Sequence, residues 1–125
     1  MPPCDQHVNK ARQNLQFTNF VLNGQSGYID WVITAYFYAA VHLVEAYFDL
    51  SSNRHYGTHV KRREAISRDS QISGLFGIYR QLETYSRTAR YGVKTFDLAY
   101  LNDRVVPKFE KLKSTLASFD GSLAL

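Results

Sequence analysis

The stretch Asp30 to Asp49, DWVITAYFYAAVHLVEAYFD, is apolar almost all the way round a helix. Such a segment must be enclosed by other elements, because only a central helix hides every face at once. One polar line runs along it: Tyr38, His42, Glu45 and Asp49, at steps of four, three and four residues. On a 3.6-residue helix these positions stack on one side. A buried imidazole and two carboxylates require partners, since an unpaired buried charge costs several kcal/mol or gives up its charge. The polar line is therefore the first place to look for function, and its partners must come from the rest of the chain.

With 125 residues the chain is sized for one domain with a full core. A hydrophobic fraction of 45% excludes wholesale disorder. The net charge is +4, but nine Lys/Arg against three Asp/Glu fall between Arg54 and Lys94, while the remainder is slightly acidic. A basic middle third favours an anionic partner such as RNA or a nucleotide phosphate, and it equally suits a solvated basic face. Cys4 is the one cysteine, which excludes an intrachain disulfide and a cysteine-based metal cluster. The start, MPPCDQHVNK, lacks the apolar core of a secretory signal. The central helix is long enough to cross a membrane, but His42 and Glu45 argue against that, and the chain reads as cytoplasmic.

Five helical segments and no convincing strand are legible. The first spans about Asp5 to Asn23, with Val8, Ala11, Leu15, Thr18 and Leu22 on one face, and stops at Gly24. Asp30 is the expected N-cap of the second, which runs to about Leu50. A loop, SSNRHYG, leads to Thr58, which caps a short basic helix, HVKRREAISRD. The fourth covers about Ser73 to Tyr91 with Leu75, Ile78, Leu82, Tyr85 and Ala89 inward, and Gly92 ends it. Asp97 caps a last segment in which Leu98, Leu101, Val105, Phe109, Leu112, Leu116 and Phe119 keep helical spacing. Pro107 should kink or divide it, and the tail from Gly121 should fray. The expected fold is an all-α, up-and-down bundle of four long helices plus a short one.

Candidate site residues follow from chemistry and spacing. His59 and Arg62 share one face of the third helix and are suitable partners for His42 and Glu45. Arg54 and His59, five residues apart in RHYGTH, have the side chains of a metal-independent ribonuclease. In that chemistry the imidazole exchanges protons and the guanidinium steadies the phosphorane. YSRTARY places Arg87, Arg90, Tyr85 and Tyr91 at the end of the fourth helix, where interleaved Arg and Tyr can hold phosphates and stack bases. Each pattern also has a plain structural use: core histidines commonly bond a neighbour, and cations suit a helix C-terminus. His42, His55 and His59 could supply three imidazoles to a metal, but their spacing is no recognised ligand signature, so neither a metal nor another cofactor is expected.

Three pieces in order resemble HEPN-domain proteins, over roughly Tyr28 to Gly92. They are Phe37, Tyr38, Ala40 and His42 on the central helix, Thr58 and His59 opening the basic helix, and Ser86, Arg87, Ala89, Arg90 and Tyr91 closing the fourth. The resemblance implies a small helical bundle, commonly a homodimer, with polar groups facing a cleft. It also implies RNA or nucleotide chemistry and, in some relatives, pairing with a nucleotidyltransferase. The family's catalytic arginine–histidine motif normally lies near the later helices, where this chain has SRTARYGVKTF and no histidine. The expectation is thus a binding protein whose cleft is lined by Tyr38, His42, Glu45, His59, Arg62, Arg90 and Tyr91. The alternatives are an endoribonuclease using Arg54 and His59, and a non-catalytic interaction subunit.

Overall fold

A computed structural model describes residues 3–24 and 28–125. Among them the chain is all-helical, with no strand. The helices are α1 (Cys4–Gly24), α2 (Ile29–Ser52), α3 (His59–Arg68), α4 (Phe76–Tyr91), the single turn α5 (Leu98–Tyr100) and α6 (Val106–Phe119). Short 3₁₀ turns occupy Ser73–Leu75 and Gly121–Leu123.

α2 is the axis of the fold, as its composition demands. Ile33, Phe37, Ala39, Ala40, Leu43 and Ala46 are at most 1% exposed. α1 runs antiparallel to it: Cys4 reaches Asp49 while His7 reaches His42, so the partner numbers fall as the α1 numbers rise. α6 runs parallel to α2, with Tyr36 against Phe109 and Tyr47 against Phe119. No helix among the described residues is long and apolar enough to cross a membrane.

Several boundaries follow local chemistry. The Thr58 side chain accepts from the Lys61 amide at 3.2 Å, and Asp97 accepts from the Tyr100 amide at 2.8 Å, as N-caps do. Asp30, expected as the cap of α2, lies instead inside its first turn, where a carboxylate suits the positive end of the helix dipole. The turn out of α2 places Asn53 at φ 52°, a left-handed cap that Asn tolerates; its amide donates to the Asp49 carbonyl at 3.1 Å, and the Arg54 amide donates to the Phe48 carbonyl at 3.3 Å. At the end of α4, a Cβ on Gly92 would stand 2.7 Å from the Thr88 carbonyl oxygen, so glycine is required there by close approach.

Three expectations change. The buried face of α4 is centred on Leu75, Tyr79, Leu82, Glu83, Ser86 and Ala89, while Ile78 and Tyr85 lie half-buried at its edge. The last segment is divided, but ahead of Pro107, which stands in the first turn of α6. A π turn at Leu101–Val105 precedes it, the Val106 amide bonds back to Leu101, and the wider turn continues into α6. The tail expected to fray docks: Asp120 accepts from the Ser122 amide at 2.8 Å, and Leu123 is 1% exposed. Leu123→Ala should accordingly cost about 2–4 kcal/mol in urea unfolding, as for other fully buried leucines. A loss under about 0.5 kcal/mol, typical of a surface site, would show that the tail is not part of the core.

Candidate functional site

Every member of the α2 polar line finds a partner, but not all in one place. The Tyr38 hydroxyl accepts from Arg90 on α4 at 2.6 Å. His42 meets His7 on α1, Nδ1 to Nδ1 at 3.0 Å, so one ring donates and the other accepts. Glu45 takes Arg62 Nε on α3 at 2.7 Å and the Tyr56 amide at 3.2 Å. Asp49 accepts from the Cys4 amide at 2.8 Å and faces His55 Nε2 at 3.0 Å.

Glu45 and Arg62 form the buried centre of this arrangement, at 4% and 6% exposure. Arg62 also donates to the Tyr56 carbonyl at 2.7 Å, lies 3.1 Å from His59 Nδ1, and reaches the Tyr79 hydroxyl at 3.5 Å. Its guanidinium, expected to hold phosphate, instead gives four of its five N–H groups to protein partners. His59 sits on Arg62 and beside the Phe37 ring at 5.4 Å. Burial first, and then Arg62, depress its pKa, so the ring is held neutral.

The expected Arg54–His59 pair is not formed: among the described residues no hydrogen bond joins them. His59 and Arg62 face inward from α3, whereas Arg54 borders a groove of about 470 Å³ on the other side of that helix, with Lys61 and Arg68. Glu64 and Asp69 line the same groove and offset its cations. His42, His55 and His59, weighed as three imidazoles for a metal, do not assemble, since His59 turns to Arg62.

Arg90 is placed differently. It is half-buried, stacked 5.5 Å from the Tyr38 ring and 5.1 Å from Tyr91, and has no carboxylate partner among the described residues. Arg63 and Arg87, its basic neighbours, are both bound to Glu83, a buried carboxylate that composition and spacing did not mark. A polar pocket of about 270 Å³ adjoins Arg90, lined by Asp30, Trp31, Thr34, Ala89 and Gly92. Tyr91 and Trp31 are largely exposed, at 78% and 59%. A guanidinium with no ion-pair partner among the described residues, stacked on the exposed Tyr91 ring, can take a phosphate while the ring takes a base, with Asp30 the opposing charge in the pocket lining.

His7, Glu83 and the placement of His55 were not found from sequence. His7 stands one turn before Ala11 on the inner face of α1, and that spacing was the available signal. Comparison with protein-family models, curated proteins and solved structures gave no match. The likeness to HEPN-domain proteins thus rests on the residues themselves.

Two outcomes test this geometry. Glu45→Ala strands Arg62 in the core and should cost about 3–5 kcal/mol, measured by thermal or urea unfolding. The second concerns pH. Burial, then His7, Lys10 and Arg62, depress His42 to about 4 from 6.5. The unfolded chain therefore binds more protons between those two values, and stability must fall as the pH drops through them. In chelator-containing buffer the loss attributable to His42 should be about 2–3 kcal/mol, and His42→Gln should flatten that part of the profile.

Proposed function

We propose that this chain is a HEPN-like helical bundle that binds RNA or a nucleotide through the Arg90 face. The observation that carries the reading is Arg90 itself, held by Tyr38 and Tyr91 beside a polar pocket and without an ion-pair partner among the described residues. Within the proposed site Arg90 contacts phosphate, Tyr91 stacks on a base, and Tyr38 orients the guanidinium. His59, Arg62 and Glu45 form the buried wall behind it, and His42 supports that wall from the α1 side. The cytoplasm is the proposed location.

Fluorescence anisotropy with a labelled single-stranded RNA tests the site. Binding should weaken steeply with salt as counterions are released. Arg90→Ala should reduce affinity at least tenfold, and Tyr91→Ala should cost about 1–3 kcal/mol if one base stacks there. Affinity unchanged by salt and by Arg90→Ala would overturn the assignment. An assay for RNA cleavage in EDTA addresses the nuclease alternative. The separation of Arg54 from His59 favours intact RNA, whereas cleavage abolished by His59→Ala would make the protein an endoribonuclease.

We extend the proposal to a homodimer. Phe17, Phe20, Tyr28 and Trp31 line an exposed apolar groove of about 470 Å³ between the end of α1 and the start of α2. A second copy is the proposed occupant, with a nucleotidyltransferase as the rival partner. Sedimentation should show a dimer that Phe20→Asp converts to a monomer. A wild-type monomer would remove this part of the proposal.

A further inference from the structure

Apart from the Arg90 face, the side chains of His7, Glu45 and His55 converge, and two of their three inward atoms have no partner. His7, Glu45 and His55 each offer one ligand atom, and these atoms all lie within 4.8 Å of one another. His7 Nε2 and His55 Nδ1 are buried and have no hydrogen-bond partner. Two unpartnered ring nitrogens inside one protein are unusual, because buried polar atoms are nearly always satisfied. Here both orphans belong to the same cluster.

The outer partners determine what those nitrogens present. The Asp49 carboxylate accepts, so His55 places its proton on Nε2, 3.0 Å from Asp49 Oδ1, and a neutral ring then directs a lone pair from Nδ1. His7 commits Nδ1 to His42 at 3.0 Å, leaving Nε2 as its inward atom. Glu45 gives Oε1 to Arg62; Oε2 accepts from the Tyr56 amide at 3.2 Å and keeps a second lone pair for the cluster. A second proton on His55 does not resolve the arrangement, because Nδ1 and Glu45 Oε2 are 3.9 Å apart, beyond hydrogen-bond reach.

We propose that His7 Nε2, His55 Nδ1 and Glu45 Oε2 form a binding site for one divalent transition-metal ion of the zinc class. Two imidazoles and a carboxylate are ligands that such ions take, with a fourth position left to water. The surroundings match what metal ligands need. His55 is oriented by Asp49, His7 by His42 and Glu45 by Arg62, so each ligand has a second contact that fixes its direction. Bonds of about 2.0–2.1 Å to a tetrahedral ion require donors about 3.3 Å apart. The contraction falls on His55, which is carried by the segment between α2 and α3 and not by a helix. The inference revises the expectation of no metal, and it stands independently of the RNA-binding reading.

The test uses the full chain, stripped with EDTA and desalted. Equilibrium dialysis against zinc should give one ion per chain, and cobalt should give the intense visible absorption of a four-coordinate site. His55→Ala and His7→Gln should each weaken zinc binding at least tenfold, and Asp49→Asn should weaken it about tenfold through His55. His59→Ala and Cys4→Ser should leave it unchanged. Circular dichroism establishes that each variant is folded. His55→Ala, outside any helix, decides the matter where His7→Gln is not folded. No stoichiometric zinc, or binding that survives His55→Ala and is lost in Cys4→Ser, would overturn the site.

Discussion

The fold turns on one buried ion pair. Glu45 on α2 and Arg62 on α3 meet at 2.7 Å in a part of the chain that water does not reach. Charges in such a place are tolerated only when hydrogen bonds satisfy what the pair leaves over. That requirement recruits the Tyr56 amide and carbonyl, His59 and the Tyr79 hydroxyl. It thereby ties the α2–α3 connection and α4 to the central helix. An apolar pair could contribute comparable stability, but it would not fix which turn of α3 lies against which turn of α2.

Much of this was readable in the residues. The all-round apolar character of Asp30 to Asp49 placed α2 at the centre, and the four-three-four spacing marked the groups needing partners. Thr58 and Asp97 announced their helix starts because a side-chain cap is a local device. Glu45 with Arg62 was anticipated from charge and face. What escaped were contacts between distant elements. His7 shares the inner face of α1 with Val8, Ala11, Thr18 and Val21; spacing places it on that face, but nothing local names His42 as its partner. Asp30 resembled a cap, yet the helix begins one residue earlier, a difference settled by packing at Ile29, which is 2% exposed. Leu123 lies in a short tail of the kind that frays, and it is held by the Asp120 cap together with burial against α1, α2 and α6.

The polar line also divides the molecule's chemistry. Toward α4, Tyr38 meets an arginine open to solvent, a setting suited to a large anionic ligand. Toward α1, His42, Glu45 and Asp49 face histidines in a dry environment, a setting suited to a small cation. One helix thus presents opposite electrostatic demands at its two flanks, and Glu45 stands where they meet. Its two oxygens face different ways, Oε1 to the guanidinium and Oε2 to the imidazoles.

The π turn before α6 has a consequence for how this helix came to fit. Leu101, Val105, Phe109, Leu112 and Leu116, each fully buried, are spaced at four, four, three and four residues. That average, about 3.75, exceeds the 3.6 of an α-helix, so a regular helix would swing the stripe off the core. The widened turn absorbs the surplus, and it does so where Pro107 has already removed an amide from the ladder. Such a turn is, in effect, a single inserted residue kept inside a helix. A descendant chain lacking one residue between Leu101 and Val105 would space the same stripe at three, four, three and four residues, and an ordinary α-helix would carry it against the core with no π turn.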